Sequence, residues 1–281
     1  NAPPRPYRHP RLSPDGQRIA VAIDEQQMHV WVVYDVTRET LSRLTTQGTI
    51  NYNHFWTPDG RRIVFSSAGR PDPGLFAQSA DGSGGLERLC CEDGLIGGAL
   101  SSISADGQVM VGGGVSGASG DLNVLRVGVR KLEPLSQTAF AEGAPMFSPD
   151  GRWLAYASDE SGRTEIYVQP YPGPGAKWQI STEGGTEPQW NRNGRELFYR
   201  SGNRMMAVDI DTTPTLAVSK PKQIFEGEYE PTLVSAANYD VSPDGQRFLM
   251  LKAARVQDEA PTQISVVLNW HEELKRLVPT P

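Results

Sequence analysis

Short stretches in which apolar residues alternate with polar or small ones recur along the whole chain, and each is stopped by Gly, Pro, Asp or Asn. Ile19 and Val21, Ile63 and Phe65, Leu154 and Tyr156, Leu197 and Tyr199, and Phe248 and Met250 are pairs two residues apart, as is Met110 with Gly112. That spacing puts both members on one face of a strand. Before each pair, across a turn, stands one apolar residue that ends an incoming strand: Leu12, Trp56, Ile103, Phe147, Trp190 and Val241. A third strand follows each pair, at 29–36, 74–80, 121–127, 165–171, 204–210 and 263–270. Shorter, more polar stretches at 40–45, 86–90, 131–136, 177–181 and 221–225 read as outer, edge-type fourth strands.

The turn between the first two strands has a recurring composition. Ser13–Gly16, Thr57–Gly60, Ser104–Gly107, Ser148–Gly151, Asn191–Gly194 and Ser242–Gly245 are copies of Ser-Pro-Asp-Gly, with departures in the third (Ser-Ala-Asp-Gly) and fifth (Asn-Arg-Asn-Gly). Ser or Thr bonds the backbone, Pro presets φ, Asp tolerates the bridge region and Gly takes a positive φ, so the tetrapeptide closes a hairpin. Its third position falls at 15, 59, 106, 150, 193 and 244, giving intervals of 44, 47, 44, 43 and 51 residues. One antiparallel four-stranded unit per interval, repeated around a ring, predicts an all-β fold: a six-bladed β-propeller in one domain spanning 1–281. The blades are expected near 9–46, 53–91, 100–138, 144–182, 187–228 and 237–270. After the last third strand, Asn269 as N-cap, Glu272 at N3 and Trp270, Leu274 and Leu277 on one face predict a short C-terminal helix over 270–278. The last blade then has no fourth strand in its own segment. A closing strand would precede Arg11, where the three prolines of 1–8 make a poor ladder partner, so the chain is expected to begin inside a blade.

The Ser-Pro-Asp-Gly turns resemble those of the TolB-like, WD-repeat-like propellers, over nearly the whole chain. The stretches 147–168 (FSPDGRWLAYASDESGRTEIYV) and 266–279 (VVLNWHEELKRLVP) look like the propellers attached to bacterial eukaryotic-type Ser/Thr kinases. This resemblance implies a bacterial, extracytoplasmic (periplasmic or secreted) setting. It also implies binding at the face where the loops joining blades, and those joining second to third strands, surround the central channel.

Composition narrows the classes. With 27 Lys and Arg against 33 Asp and Glu the net charge is −6, and no basic stripe is present to neutralise a phosphate backbone, so nucleic acid is not expected as a partner. No apolar run approaches the ~18 residues of a membrane span. The two cysteines, Cys90 and Cys91, are adjacent and cannot staple distant segments, and no Cys/His metal spacing occurs. A vicinal disulfide is one reading of the pair; free thiols are the expectation. No Gly-x-Ser-x-Gly elbow is found, and Gly112–Gly114 and Gly97-Gly98 lack the context of a phosphate loop and read as turns.

The candidate chemistry lies on the channel-facing loop ends: His9, Arg11, Asn53, His54, Glu142, Glu187, Asn238, Tyr239 and Asp240. On one reading they are hydrogen-bonded loop ends around the channel, and the protein is a non-catalytic recognition module for a protein segment or small ligand. On the other, His54, Glu187 and Asp240, with His9, converge as an acid–base or metal site of a hydrolase or lyase. The first is the expectation, with no catalytic residue and no cofactor. Calcium or another divalent ion, suggested by the short acidic turn Asp159–Gly162, is the alternative. The expected state is a monomer, or a dimer through the open edge of the last blade.

Overall fold

The computed structural model describes residues 5–25, 28–45, 51–67, 73–91, 99–113, 120–173, 175–212, 215–231, 236–252 and 263–267. The 270–278 helix lies outside them. Blade one comprises β1 (Tyr7–Leu12), β2 (Arg18–Glu25), β3 (Met28–Asp35) and β4 (Thr40–Arg43). Blade two is β5 (Asn51–Trp56), β6 (Arg62–Ser67), β7 (Gly74–Ser79) and β8 (Glu87–Cys90); blade three is β9 (Ala99–Ile103), β10 (Val109–Gly113), β11 (Asn123–Arg126) and β12 (Leu132–Pro134). Blade four is β13 (Glu142–Phe147), β14 (Trp153–Ser158), β15 (Glu165–Pro170) and β16 (Trp178–Gln179). Blade five is β17 (Thr186–Trp190), β18 (Glu196–Ser201) and β19 (Arg204–Asp211), with both β20 (Ala217–Val218) and β21 (Lys222–Glu226) paired to β19. The sixth sheet is β22 (Tyr239–Val241), β23 (Phe248–Lys252) and β24 (Gln263–Val267). Pairing is antiparallel throughout, so the architecture is an all-β propeller with five complete blades and a three-stranded sixth sheet among the described residues.

The two-residue periodicity acquires its meaning at the joints between blades. In β14, Leu154 and Tyr156 enter the cluster shared with blade three, whereas Ala155 and Ala157 enter the one shared with blade five. β2 does the same: Ala20 and Ala22 meet blade two, and Ile19, Val21 and Ile23 meet the sixth sheet. In β23, Phe248 and Met250 face blade five while Leu249 and Leu251 face blade one. Both faces of each sheet are therefore apolar, with each buried large side chain contributing about 1.5–3 kcal/mol. The Leu249/Leu251 cluster joins the sixth sheet to the first, which makes the series of joints circular.

The tetrapeptide turns form a second ring. In five copies the first residue's hydroxyl donates to the Asp carboxylate, as Ser148 does to Asp150 at 2.6 Å, and in the same five copies that oxygen accepts the amide that starts the next strand, such as Trp153 N at 3.0 Å. Gly16 and Gly60 take φ of 71° and 66°. A Cβ on Gly16 would lie 2.9 Å from Pro243, and one on Gly60 3.2 Å from Pro14, so each glycine makes room for the proline of the preceding turn.

Two departures from the sequence reading have clear causes. The long 51-residue interval ends in an interrupted inner strand. Tyr229 bridges Lys252 and the Glu230 amide donates to Leu251 O, as the first half of an inner strand would, but pairing resumes only at Tyr239, opposite Met250. The second departure is that Cys90 and Cys91 are not free thiols but a disulfide. In blades one, three and four a hydroxyl near the end of the fourth strand clamps the third: Trp31 N donates to Thr45 Oγ1, Leu122 N to Ser136 Oγ and Ile166 N to Ser181 Oγ. Cys90, paired with Leu75, stands at the corresponding place in blade two. The chain turns there through Cys91 at φ 70°, which brings the two sulfurs together.

Candidate functional site

The innermost strands carry a recurrent bulge. Register shifts occur between Arg8 and Arg11, Tyr52 and His54, Gly143 and Met146, and Thr186 and Gln189. At each, one non-glycine residue adopts positive φ: His9 at 51°, Asn53 at 32°, Ala144 at 50° and Glu187 at 58°. All four lie six positions before the third residue of their tetrapeptide, and Asn238 occupies the same position in the last repeat. An extra residue in one strand kinks it and re-aims its neighbours, which is a common device beside functional sites.

Most of the candidate residues meet through these bulges, at the joint of blades five, six and one. His9 N donates to Asn238 Oδ1 at 2.9 Å, and Asn238 N donates to Glu187 Oε2 at 2.7 Å. Glu187 Oε1 lies 3.6 Å from Arg200 Nη1, an ion pair in which both side chains are buried. Sequence reading missed Arg200; its guanidinium also donates to the carbonyls of Glu230, Tyr229 and Gly202. Arg11 Nη1 donates to Pro10 O and Tyr239 O, at 2.8 and 3.2 Å. Asp240 accepts Leu12 N on Oδ2 at 2.6 Å and Val241 N on Oδ1 at 2.8 Å.

Burial dominates the electrostatics. It lowers the Arg11 pKa, against the pull of Asp240 and Glu187. Asp240 is pushed up by burial, opposed by Arg11, Arg192 and the two amides it accepts. The Tyr239 hydroxyl is raised well above its usual 10, first by burial and then by Glu187. His54 is held well below 6.5 by burial, then by Arg11, with the Ala20 backbone acting in the opposite sense, so its imidazole is neutral at neutral pH. Its ring lies 4.2 Å from that of Trp31, and neither of its nitrogens makes a hydrogen bond of full geometry.

Glu142 belongs elsewhere. Ser136 Oγ donates to its carboxylate and Thr138 Oγ1 lies 3.3 Å from it, in a network that ties blade three's outer strand to blade four. Burial raises its pKa, with those two hydroxyls opposing. In the acidic turn, Asp159 accepts Ala141 N at 2.8 Å and Glu160 pairs with Lys177. Among the described residues no group of three or more His, Cys, Asp or Glu side chains is placed to hold a metal ion. Nor, among them, is any helix long and apolar enough to cross a membrane.

The sheet order and the antiparallel blades define a β-propeller, with polar, hydrogen-bonded bulges on its inner strands. No family model matches the chain. Solved structures do share its fold. TolB from Acinetobacter baumannii superposes with a TM-score of 0.69 at 17% identity, covering 91% of this chain and 62% of that one. A TolB structure from Agrobacterium tumefaciens gives 0.66 at 17% identity, covering 86% and 87%. An oligogalacturonate lyase in complex with manganese gives 0.63 at 13% identity, covering 96% and 76%. The propeller fold of TolB is thus the fold of this chain, which spans less than two thirds of the length of the Acinetobacter protein.

Proposed function

We propose that the chain is a non-catalytic recognition module of a bacterial extracytoplasmic protein, presenting a rigid channel face to a protein segment or a small ligand. The observation that carries this reading is how the carboxylates are employed. Both oxygens of Asp240 accept backbone amides, and those of Glu187 face an amide and a buried guanidinium. Groups held this way position strands, and a general base needs a lone pair directed at substrate. The disulfide at Cys90–Cys91 supports an oxidising compartment.

The test is turnover by the purified chain on polygalacturonate, an aldonolactone, and nitrophenyl esters, glycosides and phosphates, with manganese, calcium or chelator. Background rates throughout are expected. A second reading, a hydrolase or lyase, has one observation in its favour: His54 is neutral and neither of its nitrogens makes a hydrogen bond of full geometry. Turnover that falls about 10²-fold or more in His54→Ala, Glu187→Ala or Asp240→Ala would establish it and overturn the first.

A further inference from the structure

The fifth tetrapeptide departs from the others in a way that the network at the joint of blades five, six and one does not account for. Four of the six copies carry Pro at the second position, and the fifth carries Arg192. Its guanidinium does not bond to the adjacent sixth turn. Nη1 donates to the Pro14 carbonyl, and Nη2 to those of Ser13 at 3.2 Å and Leu12 at 3.4 Å, all in the first repeat. The sixth turn lies between the two in the ring, since a Cβ on Gly16 would meet Pro243 and one on Gly245 would meet Asn191. The side chain thus reaches the first turn past the sixth. There its charge pulls down the pKa of Asp240, whose carboxylate accepts Leu12 N.

Among the described residues β22, β23 and β24 form the sixth sheet without a strand from the start of the chain, so the joint to blade one is held by side-by-side packing and a few side-chain hydrogen bonds and not by a shared strand. We propose that Arg192 is a cross-ring strut, a positioning residue that reaches from blade five over blade six to lock the first turn and so closes the ring. A guanidinium suits this task because its donors form a rigid fork that spans several carbonyls, and it keeps its charge when partly buried. Proline at this position, as in four of the other copies, could make none of these contacts.

Hydrogen exchange by mass spectrometry on the full chain tests this. In Arg192→Gln, peptides covering 7–18 and 239–252 are expected to exchange at least tenfold faster than in the wild type, with 153–170 in blade four unchanged. Arg192→Lys, which keeps the charge but loses the fork, should fall between. Arg195→Gln, in the same hairpin, is the control. Exchange in 7–18 and 239–252 within twofold of wild type would overturn the proposal. So would equal acceleration in every blade, because Arg192 would then be a general stability determinant and not a strut for one joint, or a Lys variant that exchanges as slowly as the wild type, because the fork would then carry nothing.

Discussion

The Tyr239 hydroxyl donates to the backbone carbonyl of Glu187 at 2.9 Å, while the Glu187 carboxylate accepts the amide of Asn238, the residue before Tyr239. The two inner strands of blades five and six are thus tied reciprocally, and at Glu187 the backbone is held at positive φ. Two variants separate the contributions. Tyr239→Phe keeps the ring among Phe248 and Met250 but leaves the carbonyl without its donor, so a loss of about 1–2 kcal/mol is expected. Glu187→Gln keeps an acceptor for Asn238 but leaves the buried Arg200 charge unpaired, for which a larger loss of about 3 kcal/mol is expected. Urea denaturation midpoints check the order, and a Glu187→Gln loss smaller than that of Tyr239→Phe would contradict it.

Much of this arrangement was legible beforehand because turn chemistry is local. Pro, Asp and Gly at fixed offsets state the hairpins, and the apolar residue three before each Asp or Asn states the end of each inner strand. The inner-strand positions of the candidates were legible too, since they sit at fixed distances before the turn. Reading the column six before the turn's third residue would have found His9, Asn53, Glu187 and Asn238 as one set. What those residues do was not legible. That Asp240 spends its oxygens on amides, or that Glu142 turns to Ser136 in its own neighbourhood, depends on tertiary placement that linear spacing leaves open. Arg192 read as a weakened turn, because its partners lie 178 to 180 residues away in sequence.

The cysteine pair offers a direct chemical check. Denaturation without reductant in the presence of an alkylating agent should leave both residues unmodified, and prior reduction should expose both. Two alkylated cysteines without reductant would return the pair to free thiols. Because Cys90 is buried beside Leu75 and Leu100, labelling of the folded, reduced protein should proceed first at Cys91.

His54 predicts a pH dependence. Its folded pKa lies below its ordinary 6.5, so between these values the unfolded chain binds a proton that the folded chain does not. Stability is then lost as the pH falls below 6.5, by at most about 1.4 kcal/mol per pH unit, levelling off once the folded-state pKa is passed. His54→Phe keeps an aromatic ring against Trp31 and removes the titration. The difference in stability between wild type and variant should be constant above pH 7 and move in the variant's favour as the pH is lowered to 5. A difference that stays flat across that range would mean that His54 is protonated in the folded state as readily as in the unfolded one.

Trp56 and Trp190 occupy the same repeat position, three residues before the turn's third residue, and both act as blade-to-blade pegs. Each is buried, and each indole reaches the preceding blade: Trp56 Nε1 donates to Arg11 O at 2.9 Å, and Trp190 Nε1 to Met146 O at 3.2 Å. Leu12, Ile103, Phe147 and Val241 fill the other four positions without a donor. Truncation of either Trp to Ala should therefore cost about 3–5 kcal/mol, the range for a large buried aromatic. Replacement by Phe, which keeps most of the apolar contact and loses only the hydrogen bond, should cost about 1–2 kcal/mol. Trp56 should be the more sensitive to Phe, because its hydrogen bond is the shorter and the more deeply buried of the two. Equal, small losses for Ala and Phe would place the indoles at the surface, and equal, large ones would make the hydrogen bond to the preceding blade, not the packing of the ring, the greater part of each peg.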